Sequence, residues 1–565
     1  MTTPCGFDEH VDVVVVGSGC AGCAAALGAV SHGAQRVVVL EKSKKMVGGT
    51  TRIAGGGWIW CPNNHYLRDL GVKQPPLEVL ELLKELAYPA DGSQGEIDSG
   101  DLELMEVFAN EWPHILETML QNEFMNMQLV PVREPEDRDR VKDLLRRKMT
   151  ENPDRAAAIG INDENIDALS GLMASYCGEH PLDACPSGKV LAPQGGTTSG
   201  QLEKSVRRFA PKTEIRMGAE VVDILYDESG RVNGVFVEIE GRTIRMHARR
   251  GVIFGSGGFS HNRDLLDAEF GGNIAAPVGT CAAKTNSGDF IRIARHHGIP
   301  TSNLDSAWFK QCILPFNPQR MGQVFFLNMD SFIVVDRSGK RYANEKNFYQ
   351  QRGLQMYRNP DRRCVFCIFD ERARKLYEGP LKGLGGPVPF EAMQNDCLCR
   401  GSNEQELADA VRSKLAEVAP GFELEHDFAR TLSTSIERFN KFAVEGKDLE
   451  FGRGESVPES CWHVKRAADN KHPNKTMMPI DQRHLCCLVM GLSTLDTKGG
   501  PRINRSAQVL GADGQAVPGL FGAGNCVRSF TNISYPASGT TISSGILFGY
   551  IAGREAMAGS PASKL

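Results

Sequence analysis

The stretch from residue 11 to residue 41 limits what this chain can fold into more than any other. Residues 11–16 (VDVVVV) form a short β-branched run with little polar alternation, which predicts a parallel strand buried on both faces. It leads directly into Gly17-Ser18-Gly19-Cys20-Ala21-Gly22 and then a small-residue stretch (CAAALGAV) predicted to be helical. A second strand over residues 36–40 ends in Glu41. Strand, G-x-G-x-x-G, helix, strand and acid, in that order, make a dinucleotide-binding unit. The glycines permit a tight turn and let a pyrophosphate reach the N–H groups of the helix start, where the helix dipole also favours an anion. Glu41 lies about twenty residues on, where its carboxylate can accept from ribose hydroxyls.

The next segment selects among dinucleotides. Gly48-Gly49-Thr50-Thr51 and Gly55-Gly56-Gly57-Trp58, followed by Pro62-Asn63-Asn64, make a long glycine-rich run after the second strand. A nicotinamide enzyme has no need of it. A flavin enzyme does, because backbone must pass close to the flat isoalloxazine and hydrogen-bond its edge. A second strand-like run over residues 251–259 carries Gly255, Ser256 and Gly257, and a third glycine-rich element over residues 519–525 carries Gly524 and Asn525. These read as the dispersed contact points of an FAD domain interrupted by an insertion. No histidine adjoins the flavin-binding glycines, so the FAD is expected to be non-covalent.

Bulk properties exclude several classes. A chain of 565 residues is too long for one hydrophobic core, and two to four domains are expected. A net charge of −5 with no basic block argues against nucleic acid and anionic membrane partners. No apolar stretch approaches the ~18 residues of a membrane span. The N-terminus is acidic where a secretory signal is basic. An intracellular setting then makes the 16 cysteines free thiols. The C-x-x-C pairs Cys20/Cys23 and Cys364/Cys367 lack the second pair a zinc site needs, so no metal is expected. The final Ser563-Lys564-Leu565 is a peroxisomal address in a eukaryote; otherwise the cytoplasm is expected.

Two long stretches, GGTTRIAGGGWIWCPNN and GLFGAGNCVRSFTNISYPASGTTISSGILFGYIAG, resemble the 3-ketosteroid Δ1-dehydrogenases. These belong to the flavoprotein superfamily that also holds the soluble fumarate reductases. TNSGDFIRIAR, LDSAWF and VVDRSGKRYANEKNFY carry the likeness through the middle of the chain, to roughly two thirds of its length. The resemblance implies an α/β fold, a Rossmann-like FAD-binding domain interrupted by an inserted α+β catalytic domain. The FAD domain would comprise residues 1–280, including a helical region of about 65–200, and residues 485–565. The catalytic domain would comprise residues 281–484. To the glycines already named it adds Lys42, Val222, Asn286, Asp289, Thr540, Thr541 and Ile542 as FAD contacts.

The resemblance also separates subfamilies. Soluble fumarate reductases place an arginine five residues after the asparagine of their N-E motif, as proton donor. Here that position is Tyr349, as in ketosteroid dehydrogenases. The arginine that helps clamp a dicarboxylate three residues before the position of Gly539 is Pro536 in this chain. A cyclic ketone substrate is implied instead, desaturated α,β to its carbonyl by loss of an α-proton and transfer of a β-hydride to flavin N5. Tyr535 and the N–H of Gly539 are then the donors to the ketone oxygen, and Tyr349 is the base, which must be partly ionised to act at neutral pH.

The family's further tyrosine, in a DYYPE-like run, has no counterpart; this chain reads NEFMNMQLVPVREPED. Tyr176 is a candidate substitute, with Trp112, Phe124 and Trp308 as candidate pocket walls. The departure keeps open a smaller ring such as a cyclohexanone derivative. Also open are reduction of an activated double bond along the same hydride path, and a non-catalytic flavin-binding redox sensor. The reduced flavin would pass its electrons to a quinone, a dye or oxygen. His180 and His261 are expected to be structural.

Overall fold

The computed structural model describes residues 7–558 apart from 55–56, 90–94, 133–134, 173–188, 272–276, 317–322, 326, 377–396, 457–458 and 460–468. It begins as the sequence predicts. Strand β1 (Glu9–Val16), helix α1 (Cys20–Ser31) and strand β2 (Val37–Glu41) start a sheet, with β1 and β2 parallel and paired Val13 to Val37. Every residue of β2 is buried, as a parallel strand covered on both faces should be.

The helical stretch supplies α2 (Ser99–Gln121), whose buried face carries Leu104, Phe108, Trp112 and Leu116. Then come β3 (Thr213–Met217), β4 (Ala219–Tyr226), β5 (Val232–Ile239) and β6 (Arg242–Phe254). β6 inserts beside β1, parallel to it, and pairs with β5 on its other side.

The chain then builds a second sheet. Its strands are β7 (Ala307–Ile313), β8 (Gln323–Val324), β9 (Phe332–Val335), β10 (Cys364–Asp370), β11 (Leu398–Gly401) and β12 (Leu485–Thr497), with the short pair Gly279–Thr280 at the end of β12. Helix α3 (Tyr349–Tyr357) connects β9 to β10. All thirteen residues of β12 are buried, and it pairs with both β7 and β10. β12 therefore lies at the heart of the second sheet, although the sequence reading placed residues from 485 onward with the first. Its burial on both sides, not its position in the chain, decides where it goes.

Only past residue 497 does the chain return, through β13 (Gln508–Leu510) and β14 (Ala516–Gly522), to pair with β6. The first sheet thus runs β13-β14-β6-β1-β2-β3, with β5 attached to β6 and β4 to β5. Helix α4 (Thr540–Ala558) closes the chain against α1. Their contact explains the small residues of both helices. A Cβ on Gly28 would lie 2.4 Å from Tyr550 O, and one on Gly553 would lie 2.1 Å from Ala25 O. Among the described residues no helix is long and apolar enough to cross a membrane.

Candidate functional site

One cavity of about 1470 Å³, counted with its mouth, lies where the ends of β1, β2 and β6 meet the second sheet. Ligands of open parallel sheets collect at this place, beyond the carboxyl ends of the strands. The loop from Gly17 to Ala21 forms one wall, Leu40 and Glu41 another, and Gly255 to Gly257 a third.

The glycines here are required by space and by backbone. Gly17 has φ +95°, and a Cβ on it would stand 2.5 Å from Gly255 O; Gly257 has φ +77°, with Asn286 Nδ2 at 2.7 Å. Helix α1 starts with no side chain capping its N-terminus, although Cys20 N–H donates to Thr51 Oγ1 at 3.1 Å. An extended anion-bearing ligand finds close backbone and unclaimed dipole in the same place, so the residues fit a dinucleotide. Glu41 closes that end. Its carboxylate accepts from the N–H of Ser18 at 3.1 Å and of Ser43 at 2.7 Å. Beside it, Lys42 pairs with Asp289 at 2.8 Å.

The middle of the cavity is tied together by Asp496, at the end of β12. Its carboxylate accepts from Gly258 N–H (3.0 Å), Ser260 Oγ (2.8 Å), Asn286 Nδ2 (2.6 Å) and Asn525 Nδ2 (3.1 Å). Burial pushes this carboxyl above its ordinary value, while those donors pull the other way. Four segments far apart in sequence are held in register by one side chain.

The far end is apolar and aromatic. Ala54, Trp58, Trp308, Phe325, Tyr349, Leu495 and Tyr535 line it. Tyr349 and Tyr535 have ring centroids 5.7 Å apart, nearly perpendicular, and Trp308 lies 4.7 Å from Tyr535. The two phenol hydroxyls interact with each other. Gly539 N–H also donates to Tyr535 Oη, at 3.2 Å. Accepting from Gly539 leaves the Tyr535 hydroxyl its own proton to donate, and Thr541 stands beside it on the cavity wall. Ser538 Oγ lies 3.5 Å from Tyr349 Oη.

Two features differ from expectation. The N–H of Gly539 is turned onto Tyr535 instead of standing apart as a second, independent donor. Around Tyr349, expected to be partly ionised, burial and then Tyr535 push the phenol well above the ordinary tyrosine value, with Ser538 opposing them. Burial likewise raises Tyr535.

Of the remaining predicted contacts, Cys20, Gly49, Thr50, Thr51, Asn286, Asp289, Gly524, Asn525, Thr541 and Ile542 line the cavity. Gly22 does not; it backs onto Gly17, where a Cβ would stand 1.8 Å from the carbonyl oxygen. Gly48 packs on Ser199 and Gly57 on Thr198, each shaping the loop from behind. The cavity is lined by Ala219 and Val221, not Val222, whose carbonyl instead accepts from Arg292. Thr540 turns back to cap Ala537 O.

Trp112 and Phe124 are core residues, not pocket walls. The indole N–H of Trp112 donates to Trp60 O at 2.9 Å, and Phe124 packs edge-on to Phe209. His261 bonds Ala282 O outside the cavity. Gly55, Gly56, Tyr176, His180 and Ser563-Lys564-Leu565 lie outside the described residues. Asp496, Trp58, Phe325, Leu495 and Ser538 were missed. Trp58 and Ser538 sit inside the glycine-rich and SYPASG stretches but were not singled out there, while Asp496, Phe325 and Leu495 have no motif around them.

The model of the FAD binding domain family matches residues 12–542. The chain is 28% identical to the 3-oxosteroid 1-dehydrogenase of Mycolicibacterium smegmatis over 98% of this chain and 99% of that one. It is 27% identical to the 4-oxocyclohexanecarboxylate 2-dehydrogenase of Sinomonas cyclohexanicum, over 96% of this chain and 92% of that one. Among solved structures, the 3-ketosteroid Δ1-dehydrogenase of Sterolibacterium denitrificans in complex with 1,4-androstadiene-3,17-dione superposes with a TM-score of 0.71. The match covers 98% of this chain and all of that one at 23% identity, a likeness of fold.

Proposed function

The chain belongs to the FAD binding domain family and is an FAD-dependent oxidoreductase acting on CH–CH groups, and on that footing we propose that it desaturates a ring ketone next to its carbonyl. The observation that carries this reading is the pair of phenols, Tyr349 and Tyr535, interacting with each other in the apolar end of the FAD cavity. Among the described lining residues the only cationic side chain is Lys42, at the opposite, Glu41 end. An aromatic chamber without arginine suits a neutral ring and gives a dicarboxylate nothing to pair with.

FAD bound in the cavity supplies the acceptor for the hydride that leaves the β-carbon. Everything else falls to side chains. The ketone oxygen takes the outward proton of Tyr535 as a hydrogen bond and shares the N–H of Gly539, which lies against the same phenol. As the α-proton departs, negative charge grows on that oxygen, and donors already in place stabilise it without reorganising, by about 3 kcal/mol for a donor of this kind. Tyr349 acts from its phenolate form: that oxygen takes the α-proton and becomes the neutral phenol, and the proton returns to solvent before the next turnover. The neighbours of Tyr349, Phe325 and Phe348, at ring-centroid distances of 5.5 and 4.1 Å, keep water away from the α-proton transfer. Trp308 holds the pair together, one face on Tyr535 and its N–H on Asn525 Oδ1 at 2.9 Å.

The two named relatives act on ring ketones of very different size, and the reading covers both. The test is to mix holoenzyme anaerobically with 4-androstene-3,17-dione and, separately, with 4-oxocyclohexanecarboxylate. Loss of flavin absorbance with either one, with formation of the conjugated ketone, supports the reading. Bleaching by neither, in a protein that reduces enones when given a reduced dye, reverses the direction and overturns it.

A further inference from the structure

A base whose phenol burial pushes above its ordinary value needs something to favour its ionised form. Strand β7 offers it. Trp308 lines the cavity, and Lys310, two residues on along a strand whose register shifts between Ala307 and Phe309, lies behind the aromatic wall against Phe325. Lys310 is fully buried. Its Nζ has no hydrogen-bond partner among the described residues and sits 4.8 Å from the centroid of Phe325. The other edge of this contact is Tyr349, whose ring meets Phe325 at 5.5 Å and 87°. Cys281 borders both, interacting electrostatically with Lys310 and with Tyr349.

We propose that Lys310 is a positioning residue for the base: its protonated side-chain nitrogen is the counter-charge that lets Tyr349 exist as phenolate. The inference rests on the reading of Tyr349 as the group that takes the α-proton. An ammonium with no anion is costly to bury, and burial does lower Lys310 from the ordinary lysine value while it raises Tyr349. The two penalties are opposite in sign and ease together. An ammonium and a phenolate facing each other across Phe325 carry zero net charge together, and each offsets part of the other's cost through the low-dielectric interior. The phenolate oxygen then receives the substrate proton, and the ammonium is unchanged by the transfer.

The other ionisable groups around this pair do not supply the same charge. Cys312 comes from the same strand, Cys281 from the segment after residue 280, and burial raises both thiols, Cys312 to about 12. Tyr535 is itself a raised phenol. Arg352, on α3, turns its guanidinium to Gln311 Oε1 at 2.9 Å and to Phe325 O. Gln311 belongs to the opposite face of β7, alternating with Lys310. Lys498 lies over Trp308 at 4.1 Å and donates to Ser534 O at 2.6 Å. Asp496 is committed to its own donors.

The test compares Lys310→Met and Lys310→Arg with the wild-type holoenzyme by two readouts. One is the ultraviolet difference titration of tyrosinate in the absence of substrate, with Tyr349→Phe identifying the step that belongs to Tyr349. The other is the pH profile of the limiting rate of anaerobic flavin bleaching by 4-androstene-3,17-dione, or by 4-oxocyclohexanecarboxylate if that is the ketone turned over. A unit charge at about 10 Å in a medium of effective dielectric about 20 shifts a neighbour by about one pH unit. Lys310→Met should move the Tyr349 step and the acid limb of the profile up by about that much and slow bleaching near neutrality about tenfold. Half-saturation by ketone stays put, and Lys310→Arg restores both curves. Overlay of the Lys310→Met and wild-type curves in the tyrosinate titration overturns the proposal. If Lys310→Met does not accumulate, Lys310→Gln gives the same uncharged comparison. If no ketone bleaches the wild type, the proposed function falls, and the substrate-free titration still decides the role of Lys310.

Discussion

Replacing Tyr535 by phenylalanine removes one oxygen and leaves the ring in place between Trp308, Phe348 and Tyr349, whose centroids lie 4.7, 5.5 and 5.7 Å away. The structure assigns that oxygen two separate jobs. It accepts the N–H of Gly539 at 3.2 Å, in a region where both residues are buried. Leaving a buried N–H without an acceptor costs about 1–3 kcal/mol of folding stability. In the proposed reaction the same oxygen also donates to the ketone as charge builds there, and loss of such a donor slows the chemical step by about 10²–10³. The two effects are measured apart. Thermal unfolding of the holoenzyme reads the first, and the limiting rate of anaerobic flavin bleaching reads the second. Flavin content should match the wild type, because the cavity-lining residues Gly17, Glu41 and Asn286 are untouched. A variant with lowered stability that bleaches within threefold of the wild-type rate would show that Tyr535 holds the loop and does not hold the ketone.

Tyr349→Phe should bind FAD normally and lose about 10²–10⁴ in rate, the range of a positioned acid–base group, as read by stopped-flow bleaching. Because burial raises the Tyr349 phenol above its ordinary value, the phenolate fraction below that value grows about tenfold per pH unit. The bleaching rate should therefore climb with pH through neutrality and never fall across that window. Gly17→Ala places a Cβ 2.5 Å from Gly255 O at a backbone φ of +95°, so the flavin-to-protein absorbance ratio of the purified variant should collapse. Lys498→Met removes the donor to Ser534 O and Thr531 Oγ1, next to Tyr535, and should raise half-saturation by ketone about tenfold with flavin content unchanged.

How much of this was legible in the sequence depended on whether a residue's job leaves a local pattern. The glycine turn and Glu41 are spaced by the geometry of a strand, a turn and a helix, and that spacing is visible in one dimension. Tyr349, Tyr535 and Gly539 were found through resemblance to a family, not through periodicity. Val222 missed by one residue. β4 changes register between Val221 and Asp223, and side chains alternate across a strand, so the neighbour faces the ligand. Trp112 and Phe124 show the reverse error. A large aromatic is as useful to a core as to a pocket: helix α2 spends Trp112 on packing near Trp60, and the turn after it spends Phe124 on Phe209. β12, taken with the FAD domain from its place in the chain, pairs into the second sheet, because burial along the whole strand does not say in one dimension which sheet will cover it. Asp496 and Lys310 carry no signal at all in sequence. Their importance arises from segments that meet only in the folded chain.

The central claim is that two phenols and a bound flavin act together on one ring ketone. Its most direct test is an anaerobic titration of holoenzyme with the better of the two ketones, in wild type and in Tyr349→Phe, measuring flavin loss and conjugated ketone together. The account predicts equimolar loss of oxidised flavin and gain of conjugated ketone in the wild type, with the variant holding its FAD and staying oxidised over the same time. Equal bleaching in both proteins would contradict it.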